Sequence, residues 1–348
     1  MPPHLAGANG GSSSAGFPRF DVATDSSDHA YLTHNKKAGS CFTNLSSGVH
    51  KKIMQEWKIL EKHLPETIAV RVYENRIDLM TAAVVGAQGT PYHDGLYFFD
   101  IGFPVDYPRS PPWVHYRSFG MRINPNLYAN GRVCLSLINT WSGKKNEKWN
   151  PAESTILQVL ISIQALVLNE KPYYNEPGVG LWPGKPFWDK KSNAYSEDAF
   201  LLSCKTMLHL VRRPPKNFEV FVESHFRERG LAILSAMVAY KNGECRVGYY
   251  GIGGLSLVPG KGEPSEKFKA GIKQLMPQLA AAFARTGAPV GNFVEQVAGE
   301  KVASNSVEGK QNKRPAKKEK KTGGVKILFG KLKQILGLTK KKEKKAST

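Results

Sequence analysis

The 348-residue sequence has only four cysteines, and no two of them form a Cys-x-x-Cys pair. Scattered cysteines argue against a zinc ribbon and a disulfide scaffold, and they predict free thiols in a reducing compartment. No apolar run reaches the roughly 18 residues of a membrane span. Residues 1–30 lack the basic-then-apolar pattern of a secretory signal. No Gly-x-x-x-x-Gly-Lys phosphate loop occurs either, so ATP is not expected to bind. Together with the missing Cys-x-x-Cys pairs, this predicts neither a bound cofactor nor a metal.

Positive charge is concentrated at one end of the chain. The whole sequence carries a net charge of +20, yet residues 310–348 contain 15 Lys/Arg and 2 Glu, a net of +13. Residues 1–309 therefore carry only +7. This distribution predicts a basic tail on a mildly basic folded part, and it argues against a fold that binds specific nucleic acids.

The order of periodic segments predicts an α+β fold, with a four-stranded antiparallel meander flanked by helices and a C-terminal helical extension. The expected divisions are a disordered arm over 1–45, a core over 46–230, a helical extension over 231–299 and a disordered Lys-rich tail over 300–348. Strands are predicted at 67–73, 76–85, 95–103 and 112–116. Helices are predicted at 47–62, 154–168, 196–211, 218–229, 231–240 and 267–286.

A long stretch with little periodicity, residues 117–150, surrounds Cys134. A loop of this length inside a compact domain is usually functional. Cys134 follows Asn126 by eight residues, with Asn130-Gly131 between them, which predicts a thiol facing an amide donor across a tight turn. Residue type alone also allows another interpretation, in which Cys134 is a small buried apolar residue between two hydrophobic neighbours.

Several motifs then occur together in one order and resemble the catalytic domain of ubiquitin-conjugating enzymes over about residues 47–229. They are Phe103-Pro-x-Asp-Tyr-Pro-x-x-Pro-Pro112, Asn124-Pro-Asn126, Asn130-Gly-x-Val-Cys134-Leu-Ser, Trp149-x-Pro-Ala152 and the apolar helix at 154–168. The resemblance implies a transferase that receives ubiquitin from an activating enzyme and passes it to a substrate lysine. ATP is then consumed by the activating enzyme. A non-catalytic scaffold of the same fold, which binds ubiquitin or a ligase, is the alternative.

The resemblance also implies roles for individual residues. Cys134 matches the cysteine that carries the thioester and should be exposed. Asn126 matches the asparagine that stabilises the oxyanion or supports the loop. Asn124 stands where most of the family has a structural histidine, and an amide can replace one of its hydrogen bonds. Glu176 is the candidate acid that orients the substrate lysine, and Asp189 is a weaker one.

The best resemblance is to the branch of large or hybrid conjugating enzymes, including the plant phosphate-homeostasis type, some of which combine conjugating and ligase character. The first helix, with Lys51, Lys52 and Lys58, is expected to meet the activating enzyme. Arg109 stands where ligase docking uses an aromatic residue, whereas Pro151-Ala152 is kept, so the need for a separate ligase stays open.

Two further features of the sequence each allow two interpretations. Residues 141–149 look like an insertion and predict a charged, mobile lid beside Cys134, or a solvated loop without a role. Tyr128 is either a cleft wall or a packed aromatic residue.

The tail has two recognisable parts. Residues 313–321 resemble a nuclear-import signal, and residues 325–338 predict a basic amphipathic helix for an anionic membrane or a partner groove. We therefore expect a cytoplasmic or nuclear protein, with peripheral membrane association through this segment.

Overall fold

The computed structural model describes residues 17–33, 42–179, 186–251, 263–291 and 293. Its centre is a five-stranded sheet in sequential order, formed by β1 Phe20–Ala23, β2 Ile68–Tyr73, β3 Leu79–Val85, β4 Leu96–Gly102 and β5 Trp113–Tyr116. Strands β2 to β5 form the predicted antiparallel meander, whereas β1 pairs with β2 in parallel. The α+β class is confirmed, and the predicted strand number of four was one too low.

Two helices lie on one face of this sheet. Helix α1, Gly48–His63, begins where Ser47 accepts a hydrogen bond from the backbone N–H of His50. Helix α2, Ile156–Ser162, begins at Thr155 with a capping box and continues as a π-helical turn over Ile163–Val167. Both were predicted from their apolar stripes, and the change to π geometry was not.

Both faces of the sheet are covered, which explains why β2, β3 and β4 are almost continuously apolar. Val70, Ala82 and Phe99 lie in one row and pack against α1 and α2. The adjacent row of Ala69, Ala83 and Phe98 faces the opposite way, into a second core. We call these the inner and outer faces.

Three C-terminal helices build the outer core: α3 Pro186–Arg212, α4 Glu219–Lys241 and α5 Glu266–Arg285. Helix α3 begins ten residues earlier than predicted. Helix α4 is continuous where two helices were expected, so the predicted boundary at residue 230 falls inside it. Gly230 does not break the helix; a Cβ there would lie 3.0 Å from the Cβ of Phe283, so glycine permits close helix packing.

The N-terminal arm is ordered where it was expected to be disordered, at residues 17–33. Arg71 is 2% exposed; its guanidinium donates to the carbonyl of Pro18 and lies 4.0 Å from the ring centre of Phe17. Arg117 binds both Asp28 of the arm and Asp100 of β4, at 2.6 and 2.7 Å. These charged groups, distant in sequence, hold the arm on the sheet, and local periodicity does not reveal them.

All described residues belong to one compact unit. The predicted tail over 300–348, with its amphipathic segment 325–338, lies outside the described residues. Among the helices of the described ranges, none is both long and apolar enough to cross a bilayer.

Candidate active site

Cys134 follows a small hairpin that is built around the predicted Asn-Gly turn. Leu127 and Val133 form an antiparallel bridge, and Tyr128 donates its N–H to the carbonyl of Arg132 at 3.0 Å. Asn130 Oδ1 accepts the N–H of Arg132 at 3.1 Å, which closes the turn from the side chain. The tight turn before the cysteine is therefore confirmed.

Gly131 is required at this turn for two reasons. Its φ is +86°, a left-handed conformation that other residues adopt only at a cost. A Cβ at this position would also overlap the ring of His115. The Gly131 carbonyl accepts the N–H of Tyr116 at 2.8 Å, which attaches the hairpin to β5.

Cys134 and Asn126 are joined by two hydrogen bonds. The Cys134 N–H donates to the Asn126 carbonyl at 2.9 Å, and Asn126 Nδ2 donates to the Cys134 carbonyl at 2.8 Å. The asparagine amide thus contacts the backbone of the cysteine. This is the contact expected of a residue that supports the loop, and it places the amide next to the thiol-bearing residue.

Thr140 fixes the residues on either side of Cys134. Its hydroxyl donates to the carbonyl of Val133 at 2.7 Å, and its oxygen accepts the N–H of Leu135 at 3.0 Å. Sequence reasoning missed this residue. Thr140 follows Cys134 by six positions, and the turn of the backbone at Ser136–Ile138 brings its hydroxyl back to the residues beside the cysteine.

The thiol-bearing residue itself is only 1% exposed. The expectation of an exposed cysteine is therefore wrong for this conformation, and the alternative interpretation described its burial correctly. A second protein can reach the sulfur only after a local movement uncovers it.

Asn126 carries an unused hydrogen-bonding atom. Its Oδ1 is buried and has no hydrogen-bond partner within the part of the chain that the structure describes. A buried acceptor without a partner costs about 1–3 kcal/mol.

Asn124 is fully buried and connects four groups. Its Nδ2 donates to the hydroxyl of Tyr92 at 2.9 Å and to the carbonyl of Val167 at 2.7 Å. Its Oδ1 accepts the N–H of Asn126 at 2.9 Å and lies 3.4 Å from Nδ2 of Asn175. This arrangement is consistent with the turn-supporting role expected at this position.

Glu176 is exposed and lies beside the loop that contains Asn124 and Asn126. Its carboxylate is 3.3 Å from Nη2 of Arg122, which also donates to the Pro125 carbonyl at 3.0 Å. The Arg122 guanidinium lies 4.4 Å from the ring centre of Tyr128. Glu176 is thus connected through Arg122 to Pro125, the residue before Asn126. The importance of Arg122 was not evident from the sequence.

Asp189 has a different neighbour. It lies in the first turn of α3. Partial burial of Tyr174 and the negative charge of Asp189 raise the pKa of Tyr174. Its connections lead to Tyr174, whereas those of Glu176 lead to the loop of Cys134.

The insertion at 141–149 is anchored at both ends. Ser136 donates to the Ser142 carbonyl at 3.0 Å, and the indole N–H of buried Trp149 donates to the Pro108 carbonyl at 2.6 Å. Between these anchors the lysines 144, 145 and 148 are exposed. The predicted charged surface is present, and its function as a lid stays a prediction.

Glu56 was also missed, although it stands on the apolar stripe of α1. This fully buried carboxylate accepts the hydroxyl of Tyr107 at 2.8 Å and the N–H of Ile156 at 3.0 Å. Burial and the negative charge of Glu56 raise the pKa of Tyr107. Glu56 therefore joins α1, the proline-rich loop and the start of α2.

The expected partner surfaces are accessible. Lys51, Lys58 and Arg109 are exposed, as is the pair Pro151-Ala152, whereas Lys52 lies 3.5 Å from Glu56. Within the described ranges, no three His, Cys, Asp or Glu side chains are grouped as a metal site would require.

The family model described as ubiquitin-conjugating enzyme matches residues 52–179, which contain this whole loop. Ubiquitin-conjugating enzyme E2 38 of Arabidopsis thaliana is 49% identical over 272 residues, 78% of this chain and 82% of that protein. The chain belongs to the ubiquitin-conjugating enzyme family. The predicted family and α+β fold are thereby confirmed.

Other relatives are much longer than this chain. Ubiquitin-conjugating enzyme E2 26 of Arabidopsis thaliana is 49% identical over 272 residues, and the chain spans 49% of its length. For E2 24 of the same organism the span is 29%. The human protein named dual E2 ubiquitin-conjugating enzyme/E3 ubiquitin-protein ligase BIRC6 is 35% identical over 235 residues, which are 63% of this chain and 5% of that protein.

Proposed function

We propose that this protein accepts ubiquitin as a thioester on Cys134 and transfers it to the amine of a substrate lysine. The observation that supports the proposal most strongly is the reciprocal pair of hydrogen bonds between Cys134 and Asn126, at the end of a hairpin that requires Gly131. Such a loop holds a nucleophile and an amide donor close together within one turn.

Loading is an exchange between two thioesters. The Cys134 thiolate attacks the carbonyl carbon of ubiquitin on the activating enzyme; a new C–S bond forms, the old one breaks and the departing cysteine leaves as a thiolate. A cysteine thiolate is a strong nucleophile towards a thioester carbonyl. The exchange needs no cofactor on this protein, since ATP is spent by the activating enzyme.

Transfer is the step that uses the surrounding side chains. The lysine amine attacks the thioester carbonyl, a C–N bond forms, Cys134 leaves as a thiolate and the amine loses its proton to solvent. The Asn126 amide stabilises the oxyanion after leaving the Cys134 carbonyl. Glu176 orients the incoming lysine, whose ammonium competes with Arg122 for the carboxylate and loses one proton to solvent before the neutral amine attacks.

The burial of Cys134 favours the alternative, a scaffold that binds ubiquitin without carrying it. In our proposal the loop opens on contact with the activating enzyme. The two functions differ in one observable, an adduct with ubiquitin that a reducing agent breaks.

The decisive experiment mixes the protein with activating enzyme, ATP and ubiquitin. Wild type and Cys245→Ser should form the reducing-agent-sensitive adduct, because Cys245 lies outside the loop. Cys134→Ala should not form it. Absence of the adduct from wild type, or its persistence in Cys134→Ala, would contradict loading at Cys134 and favour the scaffold function.

We further propose membership of the hybrid branch, in which transfer does not depend on a separate ligase. Two observations support this: the human relative BIRC6 is named a dual conjugating enzyme and ligase, and Arg109 is exposed in place of a docking aromatic. Loaded protein should then modify itself or added substrates without a ligase. Transfer only after addition of a ligase would contradict it.

The basic tail is proposed to localise the enzyme, in the cytoplasm or nucleus, and to bring it to anionic membranes through residues 325–338. Six apolar residues at helical spacing, with lysines between them, support the membrane contact: Val325, Leu328, Phe329, Leu332, Ile335 and Leu336. Deletion of 310–348 should abolish sedimentation with vesicles of anionic phospholipid and leave loading unchanged. Retained sedimentation would contradict this proposal.

A further inference from the structure

The C-terminal end of α2 is held by two asparagine side chains. In the π-helical turn Ile163–Val167, the carbonyl of Val167 accepts Nδ2 of Asn124 at 2.7 Å and Nδ2 of Asn175 at 3.0 Å. A helix end leaves backbone carbonyls without intrahelical partners, and side-chain amides are suitable donors for them.

The orientation of the Asn175 amide is fixed by its neighbours. Its Oδ1 accepts Nδ2 of Asn169 at 2.7 Å, so its Nδ2 must face the two acceptors, the Val167 carbonyl and Asn124 Oδ1. A reversed amide would place an oxygen against both. Asn175 therefore has a defined donor function that no acidic or apolar side chain can replace.

Asn175 is connected to Cys134 by a short series of contacts. Asn175 contacts Asn124, whose Oδ1 accepts the N–H of Asn126, and Asn126 Nδ2 donates to the carbonyl of Cys134. The next residue, Glu176, reaches the same loop through Arg122, which donates to the Pro125 carbonyl. The segment Pro172–Asn175 and Glu176 thus touch the loop at two independent points.

We propose that Asn175 is a positioning residue for the transfer step: it holds Asn124, and through it the Asn126 turn, in register with Cys134 while placing Glu176 at the edge of the loop. This inference rests on the proposed function. Asn175 itself touches neither thioester nor lysine and takes no proton. Its contribution is geometric, and displacement of reacting groups by about 1 Å is sufficient to slow a reaction about a hundredfold.

The test separates loading from transfer. Asn175→Asp and Asn175→Ala are compared with wild type and with Asn242→Ala, a control whose side chain contacts Glu244 in the exposed turn after α4. Loading of Cys134 is measured in a single turnover, and discharge of the purified thioester is measured over a series of free-lysine concentrations.

For both Asn175 variants we expect loading within about twofold of wild type and a maximal discharge rate at least about tenfold lower. The half-saturating lysine concentration should change less than the maximal rate. In an Asn126→Ala background, Asn175→Ala should cause no further loss, because both residues act through the same turn. Asn242→Ala should behave as wild type.

The proposal is overturned if the Asn175 variants discharge like wild type, if loading and discharge fall by the same factor, or if the losses multiply in the Asn126→Ala background.

If thermal unfolding shows that both variants fail to fold, Tyr92→Phe provides the same test, since it removes one hydroxyl from Asn124 at nearly constant volume. A smaller, transfer-specific loss is expected there, and unchanged transfer would overturn the proposal. Failure of the proposed function is distinguishable, because wild type would then form no adduct.

Discussion

The loop 124–134 and the outer core of α3, α4 and α5 are held together by different interactions. The loop depends on hydrogen bonds between backbone atoms and three side chains: Asn124, which accepts a backbone N–H, and Asn126 and Thr140, which donate to backbone carbonyls. The outer core consists of buried apolar side chains, among them Phe226 and Phe283, which stack at 5.4 Å. Loss of one contact in the loop should therefore mainly slow the reaction at Cys134. Loss of one contact in the outer core should mainly lower the free energy of unfolding.

The largest effect on stability is expected in the core. Phe226→Ala should lower the free energy of unfolding by about 3–5 kcal/mol, because it leaves a cavity beside Phe283. Phe187→Ala, at a side chain that is 61% exposed, is the matched control and should cost little. Chemical denaturation measures both. Loading per folded molecule should be unchanged in Phe226→Ala, and a specific loss of loading would break the comparison.

A smaller loss is expected at the turn before the cysteine. Gly131→Ala should destabilise by about 3 kcal/mol, since it adds an overlap with His115 to the cost of a positive φ. Gly89→Ala has a similar φ of +82° and open space around its Cβ, so it should cost only about 1 kcal/mol. Gly131→Ala should also abolish loading. Equal effects of the two variants on stability would show that the hairpin is not packed as described.

Removal of one hydroxyl tests the loop more finely. Thr140→Val keeps the shape of the side chain but leaves Leu135 N–H and the Val133 carbonyl without this partner, at a cost of about 1–3 kcal/mol. Thr67→Val, which removes an exposed hydroxyl bonded to Gln164, is the control. Transfer from loaded enzyme should slow in Thr140→Val only. If both variants transfer like wild type, Thr140 does not position the cysteine.

The smallest effect concerns the N-terminal arm. Burial lowers the pKa of His29 below 6.5, although the charge of Asp100 opposes the shift and Arg117 and Asp28 also act on it. The unfolded chain then binds more protons at acidic pH, so the free energy of unfolding should fall as the pH decreases from 7 to 5. His29→Gln should reduce this slope in urea titrations. A slope that is unchanged, or stability that rises, would contradict the assignment.

The sequence was informative where a pattern is local. The apolar stripes of α1 and α2, the strands of the meander and the Asn130-Gly131 turn were all predictable, because each depends on residues close in the chain. Strand β1 was not, since Arg71 and Arg117 hold the arm from more than 50 residues away. Thr140 gave no signal because its partners are backbone atoms, whose positions exist only after folding. Asn175 gave none because Asn169, Val167 and Asn124 come together around it only in the folded chain. The burial of Cys134 was one of the two interpretations that its residue type allowed.

The most direct test of the central claim replaces the sulfur at position 134 by oxygen. Cys134→Ser should accept ubiquitin slowly from the activating enzyme as an oxyester, giving an adduct that survives reducing agent and is cleaved by alkali. Peptide mapping should place ubiquitin on residue 134. An adduct that remains sensitive to reducing agent, or one mapped to another residue, would contradict the assignment of Cys134 as the nucleophile.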